Sequence, residues 1–124
     1  LETFLLICNL LIPLMMLGFG IMFEKNPPKN INGVYGYRTS MSMKNQDTWN
    51  FAHQYCGKVW RTWGLMILIV SIFFTIISYF LGEAVQGIIC SGLVVVQTII
   101  LIVSIIPVEK ALKRTFDKNG KKYN

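Results

Sequence analysis

Hydrophobic positions in this chain come in blocks. Thr3 to Phe23, Thr62 to Gly82 and Ala84 to Val108 are runs of 21, 21 and 25 residues without one charged side chain. At about 1.5 Å per helical residue, each run covers roughly 30 Å or more, the thickness of a bilayer's hydrocarbon core. The alternation of a β-barrel strand is absent, so helices are the way these backbones satisfy their amides in lipid. The pattern predicts an all-α membrane protein, one integral membrane domain over residues 1–124 with spans at about 3–23, 59–82 and 84–108. The first run reads as a retained span, not a secretory signal: no Lys or Arg precedes it and no small-x-small site follows at "GFGIMFEKN". Pro13 lies inside it and is expected to kink it.

The polar stretches between the spans have their own organisation. Pro27 and Pro28 hold the backbone extended and end the first helix near Phe23, and Gly33 and Gly36 permit turns with positive φ. From Asn45, an N-cap candidate with Asp47 in the first turn, the spacing predicts one long helix to about Leu81. Trp49, His53, Cys56, Trp60 and Trp63 share one face of it, and Asn50, Gln54, Lys58 and Arg61 the other. At the far end Pro107 is expected to close the third span. Val108, Ala111, Leu112, Thr115 and Phe116 then recur at amphipathic spacing, predicting a short C-terminal helix on the inner membrane surface.

Charge adds sidedness. All 12 Lys and Arg fall in residues 24–61 or after residue 108. The positive-inside rule therefore puts both segments in the cytoplasm and the N-terminus, Glu2 and the "GEA" turn at Glu83 outside, which is the parity that three spans require. The formal net charge of +6 reads as topology and attraction to anionic membrane lipids, not as nucleic-acid binding.

Candidate chemistry is sparse. Cys8, Cys56 and Cys90 share no oxidising compartment and show no metal spacing, so free thiols and no metal or cofactor are expected. His53, the only histidine, has no acid/base partner on its own helix face, so a hydrogen-bonded structural role outweighs catalysis. The spans hold Asn9, Ser71, Thr75, Ser78, Ser91, Gln97, Thr98 and Ser104 but no carboxylate or base, which argues against a pump or ion carrier. Interhelical hydrogen bonding is the ordinary role for such groups, with Gly87 and Ser91 as a small-xxx-small approach site. Asn9 and Gln97 are the two whose amides could meet a peptide inside the bilayer.

The loop itself is the most specific feature. "NGVYGYRTSMSMKNQDTWNFAHQYCGK" resembles the signature of the SdpI family of bacterial membrane proteins, carried here by Asn32, Gly36, Arg38, Thr39, Ser42, Trp49 and Gly57. The resemblance covers nearly the whole chain. It implies a non-enzymatic protein of the bacterial plasma membrane that gives immunity to a secreted antimicrobial peptide or takes part in related envelope-stress signalling, with that peptide or a cytoplasmic or membrane protein as partner. Bottom-up chemistry leaves two roles open for Arg38: bidentate contact with a carboxylate or lipid phosphate, or an architectural bond to carbonyls at the helix ends while Asn32 closes the turn. Trp49 reads as an interfacial anchor or a packing plug. The alternative function is a small membrane enzyme or lipid-headgroup-binding protein that uses the basic loop.

Overall fold

The structure, a computed structural model, describes residues 2–123, the side chain of Glu2 excepted. The expectation for Glu2 as an outward charge lies outside the described residues. The described residues form four helices: α1 (Glu2–Lys25), α2 (Gln46–Tyr79), α3 (Glu83–Val103) and α4 (Ile105–Thr115). Among the described residues three helical segments are long and apolar enough to cross a membrane. Their outer faces expose Phe4, Ile7, Leu11, Ile69, Phe73, Ile88, Ile99 and Ile102. A continuous apolar belt of this kind requires lipid around it.

α2 starts where the sequence places it. Asn45 accepts the Thr48 N–H on its side chain at 2.9 Å, and its own N–H reaches Thr48 Oγ1 at 3.0 Å, a reciprocal capping box. With 34 residues α2 is about 50 Å long, more than a bilayer needs. Its first turns therefore project beyond the hydrocarbon and carry the loop.

Backbones of α1 and α2 nearly touch. A Cβ on Gly57 would lie 2.8 Å from the Gly20 carbonyl oxygen and from Glu24 N, and one on Gly64 would lie 2.8 Å from Leu17 N. A Cβ on Gly20 would meet the Arg61 amide nitrogen at 2.5 Å. These glycines, not Gly87 and Ser91, are the close-approach site: Gly87 has open space around it and Ser91 is exposed. Small residues four apart occur on any helix face, and only the face that meets a partner uses them.

Two further expectations change. Pro107 does not close the third span at Val108; α3 ends at Val103, Ser104 makes a turn, and α4 already begins at Ile105. Pro107 has no N–H for the Val103 carbonyl and its ring crowds that group, so the hydrogen-bond ladder is interrupted around Ser104, whose backbone stays in the αR region and carries the helical course on to Thr115. Nor does the apolar face of α4 rest on the membrane surface. Val108, Leu112 and Phe116 are buried in one cluster with Phe23 of α1, Tyr37 of the loop, and Ala52 and Cys56 of α2. Beyond α4 the chain turns back through an antiparallel bridge, Phe116 to Lys122, and the Gly120 carbonyl accepts from Asn45 Nδ2 at 2.7 Å. The C-terminal segment thus braces the start of α2.

Candidate functional site

The signature residues build the loop from the inside. Asn32 Oδ1 accepts the N–H groups of Val34 at 3.0 Å and Tyr35 at 2.7 Å, so its side chain closes the turn as expected. Gly36 follows with φ +116°, a conformation that costs other residues strain. A Cβ there would lie 2.7 Å from His53 Nε2 and 3.2 Å from the Trp49 ring. Gly33 does not have positive φ; its carbonyl instead accepts from the Arg38 guanidinium, which is exposed. The bond of Arg38 is therefore architectural but lies within the loop, not at a helix end.

Gly36 lets the chain pass close to α2. The Tyr37 N–H then donates to His53 Nε2 at 2.9 Å, while His53 Nδ1 faces the Trp49 carbonyl at 2.8 Å. An Nε2 that accepts and an Nδ1 that faces a carbonyl define the neutral, Nδ1-protonated imidazole. Burial acts in the same direction and lowers the His53 pKa below its ordinary value, against the smaller opposing effect of the Trp49 carbonyl. Trp49 packs against His53 with ring centres 4.3 Å apart and planes tilted by 47°, and donates its indole N–H to the Pro28 carbonyl at 2.7 Å. It is fully buried, a packing plug and not an interfacial anchor.

Thr39 and Ser42 close the second half of the loop. The Thr39 N–H donates to Ser42 Oγ at 2.8 Å, the Ser42 N–H donates to Thr39 Oγ1 at 3.1 Å, and Ser42 Oγ is within 3.0 Å of the Tyr37 carbonyl. A carboxylate then ties this loop to α4. Glu109 Oε2 accepts from the Tyr37 hydroxyl at 2.6 Å and from Thr39 Oγ1 at 3.1 Å. Burial, followed by the hydrogen bond and charge of Glu109, pushes the Tyr37 phenol above its ordinary pKa, so it stays a donor.

Asn32 and Arg38 thus bond within the first half of the loop, Thr39 and Ser42 bond each other in the second, and Gly36 packs against Trp49 and His53, whereas Gly57 serves the α1–α2 contact. Tyr37 and Glu109 were not among the residues singled out from sequence. A lone acid among the bases of residues 108–114 was the available signal for Glu109.

The intramembrane amides form a second, separate group. Gln97 Nε2 donates to Ser71 Oγ at 2.6 Å and to the Asn9 carbonyl at 2.9 Å, joining three helices. The Asn9 side chain bonds only within its own helix, to the Leu5 carbonyl at 2.8 Å. Among the described residues Asn9 Oδ1, Gln97 Oε1 and Thr75 Oγ1 are buried without a partner. Ser71 and Gln97 also line a groove of about 210 Å³ between α2 and α3, with Met66, Val70, Val96 and Ile100.

Comparison with known proteins agrees with the loop's signature. The model of the SdpI/YfhL protein family matches residues 29–108, from the loop through the third span. The "Uncharacterized protein YfhL" of Bacillus subtilis (strain 168) is 45% identical over 53 residues, 43% of this chain and 48% of that relative. The aligned stretch thus spans about half the length of the curated relative. No solved structure matches. With the family match covering residues 29–108, more than half of the chain, the chain belongs to the SdpI/YfhL family.

Proposed function

We propose that this chain is a non-enzymatic immunity protein of the bacterial plasma membrane that protects against a secreted antimicrobial peptide. In this reading its basic loop and C-terminus face the cytoplasm, the Glu83 turn faces outward, and the peptide is met within the bilayer. One observation carries the reading beyond family membership. The loop's Asn32, Tyr37, Thr39 and Ser42 bond within the loop, to His53 and to Glu109, while among the described residues the buried oxygens without partners lie at Asn9, Thr75 and Gln97, of which Gln97 lines the lipid-facing groove. A peptide lying against α2 and α3 buries apolar side chains in that groove and brings donors to a region where lipid offers none.

The outward surface between α2 and α3 is short, only residues 80–82. That favours recognition within the membrane over recognition by an external loop. The test is survival of a peptide-sensitive host expressing the parent or an Asn9→Leu/Gln97→Leu variant at equal membrane abundance. Protection by the parent and its loss in the variant is the expected result. Full protection by the variant would contradict intramembrane recognition, and no protection by the parent would contradict the immunity reading itself.

A further inference from the structure

A polar cleft of about 530 Å³ opens where α1 ends beside the first turns of α2. It is lined mainly by Lys25, Asn26, Lys29, Gln46, Asn50 and Gln54. Its volume lies in the range of small-molecule sites. None of its lining residues carries a carboxylate, and two carry ammonium groups. Among the described residues the ion pair is Arg61 with Glu24 at 3.0 Å, which leaves Lys25 and Lys29 without a carboxylate partner. The basic hollow on the other side of the loop, beside Lys44, Lys113 and Lys118, differs in containing Asp117.

Hydrogen bonding inside the cleft leaves donors over. Gln46 Nε2 donates to the Lys29 carbonyl at 2.6 Å and to Asn50 Oδ1 at 2.8 Å. Asn50 therefore has its acceptor engaged and its amide N–H groups available. Gln54 Nε2 gives one N–H to the Glu24 carbonyl at 3.0 Å and keeps a second. Two cations and several free N–H groups, without an opposing acid, match the several acceptor oxygens of a phosphate.

The height of the cleft selects the source of that phosphate. The charge-free run of α1 ends at Phe23, and the Glu24–Arg61 pair marks the level at which charge begins on both helices. Gln54 is bonded to Glu24, so the mouth of the cleft meets the edge of the hydrocarbon, where lipid phosphates lie. We propose that this cleft binds the phosphate of an anionic lipid from the leaflet on the loop side.

Native mass spectrometry of the full chain in neutral detergent, titrated with phosphatidylglycerol or phosphatidylcholine and with inorganic phosphate as competitor, tests the site. Phosphatidylglycerol binds several-fold tighter than phosphatidylcholine, and equimolar inorganic phosphate leaves it in place. A Lys25→Gln/Lys29→Gln variant weakens phosphatidylglycerol binding by about fivefold per lysine. Lys118→Gln/Lys121→Gln removes the same charge outside the cleft and leaves binding unchanged. Asn50→Asp keeps the shape and the bond from Gln46 but sets a carboxylate against the phosphate, and it weakens binding with helix content retained. Equal losses in the two lysine pairs, no preference between the lipids, or no effect of Asn50→Asp would overturn the site. Displacement by equimolar inorganic phosphate would overturn the lipid as its source.

Discussion

The loop end and the hydrocarbon end of the bundle handle buried polar groups in opposite ways. At the loop end Ser42, Thr48, Trp49 and His53 are all buried, and each has its side-chain polar atoms bonded, to a neighbour's backbone or to the helix cap. In the hydrocarbon Gln97 holds Ser71 and Asn9 with its amide nitrogen, yet its oxygen, the Asn9 side-chain oxygen and the Thr75 hydroxyl are without partners among the described residues. A buried group left unpaired costs about 1–3 kcal/mol. The difference separates a region built to hold one shape from a region with bonding capacity left over. The family's signature belongs to the first.

Gly36 probes the closed region hardest. Gly36→Ala places a Cβ 2.7 Å from His53 Nε2 at a φ of +116°, so both overlap and backbone strain act together. A loss of about 3–5 kcal/mol is expected, read as thermal unfolding in detergent. Gly33→Ala, which has open space and no positive φ, should be nearly neutral.

Glu109 comes next. Glu109→Ala removes the acceptor of the Tyr37 and Thr39 hydroxyls and should cost about 1.5–3 kcal/mol, the range of a hydrogen bond to a charged group. Tyr37→Phe should cost less in the Glu109→Ala background than in the parent. Additive losses in that double-mutant cycle would show that the two side chains do not hold each other.

The smallest effect is that of pH. Folding lowers the pKa of His53 from its ordinary 6.5, so the unfolded chain binds the proton more readily than the folded protein. The stability that this histidine contributes is full above about 6.5 and declines as pH falls below that value toward the folded pKa. Between pH 7 and 5 the parent should lose more stability than a His53→Gln variant. Parallel pH dependences would mean that His53 is not held neutral by the Tyr37 amide.

The same contrast explains what was legible in the sequence. Three spans and the start of α2 follow from local rules, namely charge-free length and an Asn45 cap, and the helices keep them. The Tyr37–Glu109 bond joins residues 72 positions apart, and no local pattern encodes it. Gly87 and Ser91 satisfy the spacing of a helix contact, whereas Gly20 of α1 and Gly57 and Gly64 of α2 form one, because those two faces meet. For α4 the amphipathic pattern located its apolar face correctly, but a membrane surface and the side of α2 present the same chemistry to it.

Amide hydrogen exchange at Tyr37 tests most directly whether the signature holds the loop closed. Its N–H donates to the buried His53 Nε2, while the neighbouring Val34 N–H bonds to the exposed side of Asn32. Tyr37 should exchange at least about a hundredfold more slowly than Val34 after correction for intrinsic rates, and His53→Leu should remove that difference. Exchange at Tyr37 as fast as at Val34 in the parent would contradict a loop locked by its own residues.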